Sequence, residues 1–140
     1  MIAIDASVAV KWYRAEDFSD EATALFEANA GDLVAPDLFA VEVASALVRN
    51  ANAVKPSRET MKQAIAAFAA ELERGSVRLT RLNLQSLADA SKYALDLGHP
   101  LRDCVYLALA IELGCELVTC DARFAAKAST VYDLVRVLGQ

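Results

Sequence analysis

Short apolar runs alternate along the chain with longer stretches whose apolar residues recur at helical spacing. The runs Ile2-Ala3-Ile4-Asp5, Leu33-Val34-Ala35, Val77-Arg78-Leu79-Thr80 and Glu116-Leu117-Val118-Thr119-Cys120 predict four strands, the second stopped by Pro36, and Thr130-Val131-Tyr132 predicts a fifth. Between them, Ala22, Leu25 and Phe26 mark one face of a helix over about 19–29. The Ala/Val/Leu-rich stretch 37–52 and a second helix predict a helical hairpin; the second opens at Pro56-Ser57, with Ser57 as cap, and stops near Arg74 before Gly75. Helices over 84–97, ended by Gly98, over 101–113, ended by Gly114, and over 121–128 complete the pattern. Strands separated by helices imply an α/β fold, a parallel sheet of about four to five strands with helices on both faces. No repeat, low-complexity tract or linker interrupts residues 1–140, so a single domain is expected.

Four acidic residues stand out against this pattern. Asp5 and Asp121 directly follow the first and fourth predicted strands, and the carboxyl edge of an open parallel sheet is where ligands gather. Each also fits as the N-cap of the helix that follows it. Glu42 is surrounded by Leu38, Phe39, Val41, Val43, Ala44 and Leu47, which leave almost no polar stripe for a solvated side chain. Asp103 stands in the first turn of another apolar helix, where an acid also gains from the helix dipole. Its neighbour Arg102 either neutralises it or faces a phosphate beside it. Charges in such segments are costly unless a partner or a cation compensates them. Carboxylates brought together at one sheet edge would repel one another and call for a cation. Hard oxygen donors with no paired His or Cys favour Mg²⁺, with Mn²⁺ as substitute, over zinc.

Composition narrows the chemistry. A net charge of -5 argues against a protein that coats nucleic acid through a broad basic surface, yet a cation held by acids can still meet a phosphate substrate. The single His99 excludes ribonucleases that use two histidines as acid and base. Apolar residues make up 56% of the chain, but no run approaches the roughly 18 residues of a membrane span, so the excess predicts apolar surface covered by another chain, as in a homodimer. Cys104, Cys115 and Cys120 are odd in number and lack close pairing, which reads as buried free thiols. The opening Met-Ile-Ala-Ile-Asp has no basic segment leading into a long apolar core, so a cytoplasmic protein is expected.

Taken together in order, Ile4-Asp5-Ala6-Ser7, Val41-Glu42-Val43-Ala44-Ser45-Ala46-Leu47, Asp103-Cys104-Val105-Tyr106-Leu107-Ala108-Leu109-Ala110 and Leu117-Val118-Thr119-Cys120-Asp121 resemble a PIN domain. They look especially like the VapC toxins of toxin-antitoxin modules, and the resemblance spans essentially the whole chain. It implies a PIN-like three-layer sandwich and Mg²⁺-dependent endoribonuclease activity that leaves 5′-phosphate and 3′-hydroxyl ends. It further implies an RNA substrate, a cognate antitoxin partner, and Asp5, Glu42, Asp103 and Asp121 as the catalytic and metal-binding quartet. Ser7 and Thr119 match the family's small hydroxyl positions, which orient ligands or waters. Arg102 and Arg123 fall beside matched positions, and phosphate contact is expected of them. An aspartate-nucleophile phosphatase would need a second Asp where Ser7 stands, and a receiver domain would need adjacent acids after the first strand and a later Lys. An RNA-processing nuclease without an antitoxin, or a catalytically silent interaction domain, remains as the alternative.

Overall fold

The computed structural model describes residues 1–140. Five strands, β1 (Ile2–Ile4), β2 (Leu33–Pro36), β3 (Val77–Thr80), β4 (Glu116–Thr119) and β5 (Val135–Val137), form one parallel sheet in the order β3-β2-β1-β4-β5. Seven helices accompany it: α1 (Ala6–Val10), α2 (Ser19–Asn29), α3 (Leu38–Ala53), α4 (Arg58–Glu73), α5 (Leu84–Leu97), α6 (Leu101–Leu113) and α7 (Ala122–Ala128). The α/β sandwich expected from the sequence is therefore present. No helix is long and apolar enough to cross a membrane.

The strand order sets the site. From the central β1 the chain builds outward through β2 and β3, then returns to place β4 on the other side of β1, with Ala3 opposite Leu117 and Ile4 opposite Val118. The carboxyl ends of β1 and β4 thus flank the point where the strand order reverses, and Asp5 and Asp121 come directly after them. Helix α6 packs on β1, β2 and β4 and is covered in turn by α5. Its run Cys104–Ala110 is buried without a break, which explains why that segment is apolar all round rather than striped. Gly98 and Gly114 end α5 and α6 in the left-handed conformation with φ of 57° and 63°, which sets the short turns into α6 and β4.

Three local expectations differ from the structure. The last strand lies at Val135–Val137, not at Thr130–Tyr132. The amides of Ser129, Thr130, Val131 and Tyr132 all donate to carbonyls of Ala125, Lys127 and Ala128, so the β-prone triplet spends its donors finishing α7 and has none for a neighbouring strand. Pro36 is the last residue of β2, opposite Thr80, where its missing N–H breaks no continuing ladder. Ser57 stands at the N-cap of α4 as expected, but its side chain makes no capping bond: it also ends a 3-10 turn at Lys55–Ser57, and its hydroxyl donates back to Val54 O at 2.7 Å and Asn50 Oδ1 at 3.0 Å, closing the hairpin between α3 and α4. All three cysteines are free, with Cys104 and Cys115 buried and Cys120 half-buried.

Candidate active site

Asp5 forms the floor of the site. It caps α1 as expected: Oδ1 accepts the Ser7 amide at 3.0 Å and the Ser7 hydroxyl, while Oδ2 accepts the Thr119 hydroxyl. The two hydroxyls also tie the strand ends together. Ser7 Oγ accepts the Cys120 amide at 2.9 Å, and Thr119 Oγ1 accepts the Asp121 amide at 3.0 Å. Both positions singled out in the sequence therefore brace the β1 and β4 ends, and Thr119 is fully buried. Asp5 itself is only 6% exposed. Burial pushes its carboxyl up from 3.8 to about 6 against the opposing pull of the Ser7 and Thr119 hydrogen bonds, and the nearby Asp103 pushes it further. Its three accepted bonds leave a lone pair free, since a carboxylate offers about four acceptor positions.

The rim is built from helix starts. Asp103, in the first turn of α6, has its Oδ2 2.6 Å from His99 Nε2, and Asp121 caps α7 by accepting the Phe124 amide at 2.9 Å. His99, Asp103 and Asp121 each offer a donor atom, and these atoms all lie within 4.8 Å of one another. Glu42 stands apart from that cluster. Its Oε1 accepts the Tyr106 hydroxyl at 2.6 Å, and Arg102 Nη1 approaches Oε2 at 3.6 Å. Arg102 thus pairs with Glu42 rather than with the adjacent Asp103. Arg123 is exposed on α7, two positions after Asp121, and makes no ion pair.

Two participants escaped the sequence reading. Tyr106 is buried, and burial together with Glu42 raises its hydroxyl far above the usual phenol range, so it stays a donor to the carboxylate. A Tyr three positions after Asp103 in an apolar helix reads as core, and only its partner on α3 gives it a second role. His99 enters as a neighbour of the acids; the oxygen-only ligand set expected from sequence overlooked it. Its signal was the i, i+4 spacing to Asp103 across Pro100, where the helix begins.

The donors fit a divalent cation. Asp103 and Asp121 converge with an imidazole, and Asp5 lies close enough to Asp103 to feel its charge, so a cation there would relieve the repulsion among the acids. Beside it, an open groove between α1 and α3 runs past Ala6, Val10, Leu38, Val41 and Arg49 to Glu42 and Arg102.

The fold is shared with solved structures of low sequence identity. The chain is similar to PAE2754 from Pyrobaculum aerophilum, with 18% identity, TM-score 0.64, and 98% of this chain and 90% of that one covered. It is similar to VapC20 of Mycobacterium tuberculosis, a sarcin-ricin loop cleaving toxin, with 16% identity, TM-score 0.70, and coverage of 90% and 94%. A chain of a toxin-antitoxin complex from Klebsiella pneumoniae matches at 15% identity and TM-score 0.64, over 97% of this chain and 96% of that one. No curated protein matches significantly by sequence. The model of the PIN domain family matches residues 2–129, essentially the whole span from β1 through α7, and the chain therefore belongs to the PIN domain family.

Proposed function

We propose that the protein is a divalent-metal-dependent endoribonuclease that hydrolyses RNA phosphodiester bonds and serves as the toxin of a type II toxin-antitoxin pair. The observation that carries the reading is the convergence of Asp103 and Asp121 beside the buried Asp5 at the switch point of a PIN domain sheet. Asp5, Glu42, Asp103 and Asp121 would hold Mg²⁺, or Mn²⁺ in its place. Such an ion, when bound, supplies an activated water for attack on phosphorus and offsets the charge that builds on the leaving oxygen. The protein's own contribution is placement. Ser7 and Thr119 fix the Asp5 carboxylate, Tyr106 fixes that of Glu42, and the exposed Arg102 and Arg123 would contact phosphates of the RNA.

The toxin reading draws on the likeness to VapC20 and to the toxin-antitoxin complex, together with the surface of α3. Val41, 69% exposed, lines the groove that leads to Glu42, and the exposed Val48 lies with Ala40 and Ala44 in an adjoining depression on the same helix. An antitoxin segment would lay apolar residues there and aim a basic side chain at the acids, competing with the cation. Exposed Leu84 and Leu95 on α5 offer further apolar surface for a homodimer.

Incubation of purified protein with RNA, with Mg²⁺ or Mn²⁺ and with chelator, tests the nuclease reading; metal-dependent cleavage with 5′-phosphate products is the expected result. Cleavage that persists unchanged in chelator would sink it. Growth arrest on expression, relieved by a co-expressed partner encoded beside it, is expected of a toxin. Unimpaired growth with intact RNA would leave the nuclease and remove the toxin. Light scattering at micromolar concentration reads the dimer directly.

A further inference from the structure

We propose that His99 supplies a nitrogen donor to the cation site, so that the site prefers a first-row transition-metal dication, with Mn²⁺ as its probe, to Mg²⁺; this rests on the metal-dependent reading above. His99 Nε2 faces Asp103 Oδ2 at 2.6 Å, and the donor atoms of His99, Asp103 and Asp121 lie within 4.8 Å of one another. Donors on one small dication stand about 3 Å apart when adjacent and about 4.4 Å apart when opposed, given bond lengths of roughly 2.1–2.2 Å. Small side-chain shifts therefore bring all three onto one ion.

The imidazole is held for this role. Its side chain is 7% exposed and stacks on Phe124, with ring centroids 4.8 Å apart and planes at 25°. The Phe124 amide in turn donates to Asp121, so one turn of α7 fixes both the ring and its neighbouring ligand. No buried side-chain nitrogen or oxygen lacks a partner, and only Nε2 of His99 makes a protein hydrogen bond, so Nδ1 reaches solvent. Nε2 lies within hydrogen-bonding distance of Asp103 Oδ2. As a ligand, His99 would present the Nε2 lone pair to the cation and carry its ring proton on Nδ1, on the solvent side. Imidazole nitrogen is a poor partner for Mg²⁺, which prefers oxygen, and a better one for transition metals. The rival geometry keeps the proton on Nε2 and leaves His99 as an N–H donor that only holds Asp103.

Pulsed EPR on the Mn²⁺-loaded protein, with Mn²⁺ and Mg²⁺ affinities measured by calorimetry, separates the two. The expected result is imidazole-nitrogen coupling in the parent that disappears in His99→Gln, which keeps an N–H donor near Asp103 but no imidazole. Mn²⁺ affinity should fall at least about tenfold, the lower end of what even an outer partner of a ligand is worth, while Mg²⁺ affinity hardly changes. Mn²⁺ bound without nitrogen coupling, or parental Mn²⁺ affinity in His99→Gln, overturns the proposal and leaves the metal-dependent reading standing. A parent that binds no divalent ion overturns both.

Discussion

Asp5 and Asp103 carry the same group to the same place from opposite surroundings. Asp5 ends a central strand, is 6% exposed, and is gripped by the Ser7 amide and two hydroxyls. Asp103 opens a helix, has a side chain 34% exposed, and has His99 as its one side-chain partner. The floor of the site is thus buried and held by three hydrogen bonds, whereas the rim is half-exposed and held by one. A buried carboxylate costs free energy until a cation or a proton offsets it, and a half-exposed one costs little because water screens it. The floor should therefore govern how stability responds to metal, and the rim should govern which metal and substrate are accepted.

The largest effect should not distinguish them. Asp5→Asn and Asp103→Asn each remove a charged donor from the proposed cation site, and each should lower RNA cleavage at least about a hundredfold, the scale of losing one preorganised electrostatic contact. Circular dichroism should show the fold intact in both. Parental cleavage by either variant, in preparations free of contaminating nuclease, would remove that residue from the site and break the symmetry of the comparison.

Stability should then separate the two. In metal-free protein the Asp5 carboxyl is raised from 3.8 to about 6, chiefly by burial, so the folded state binds its proton more tightly than the unfolded chain does. The sign follows from linkage: the group's full contribution is present below pH 3.8, is lost as pH rises through 6, and is a fixed deficit above that. Asp5→Asn escapes this loss and should be more stable than the parent at pH 7 by up to about 3 kcal/mol, because each tenfold gain in proton affinity on folding corresponds to about 1.36 kcal/mol. The gap should close below pH 4. Mn²⁺ at roughly 100 times its dissociation constant should return about 2.7 kcal/mol to the parent and little to the variant. Thermal melts at several pH values, with chelator and with Mn²⁺, read both effects; a parent more stable than Asp5→Asn at pH 7 in chelator would contradict the account of the floor.

The same contrast governs what was legible in the sequence. Asp5 and Asp121 follow apolar runs that are strands for local reasons, so the floor and one rim residue were visible from periodicity and capping alone. Ser7 and Thr119 were placed by resemblance, and the structure adds what they do: Ser7 through the Cys120 amide and Thr119 through the Asp5 carboxylate cross-tie the ends of β1 and β4. Tyr106 and His99 were missed because their roles depend on partners brought by packing: Glu42 lies 64 positions from Tyr106, and His99 stood in the sequence only as evidence against a two-histidine mechanism. The misplaced fifth strand has the same origin, since Thr130–Tyr132 has the composition of a strand and loses it to the end of α7.

Tyr106→Phe sharpens the view of the rim. The change keeps the buried ring and removes the hydroxyl that donates to Glu42 at 2.6 Å. Hydrogen bonds to charged groups are worth about 1.5–3 kcal/mol, and the low end applies because Glu42 keeps some contact with water. Cleavage should fall by about tenfold, as for the loss of an outer partner of a metal-binding carboxylate. Denaturant melts and single-turnover cleavage measure the two quantities. An unchanged cleavage rate would mean that Glu42 needs no positioning and that its separation from the other acids persists in the working enzyme.

Arg102 should give the smallest effect, and for that reason it tests where the rim ends and the substrate surface begins. Its side chain is 76% exposed and its approach to Glu42 is a long 3.6 Å, so the pair contributes at most a few tenths of a kcal/mol to folding. If its use is to meet an RNA phosphate, Arg102→Ala should leave the melting temperature in place, weaken RNA binding across sequences alike, and reduce the slope of log affinity against log salt by about one. Arg123→Ala on α7 should behave in the same way. Binding of a non-cleavable RNA analogue at several salt concentrations, beside a melt, measures both. A melting temperature lowered as far as in Tyr106→Phe, with the salt slope unchanged, would make Arg102 a clamp on Glu42 and move it from the substrate surface into the rim.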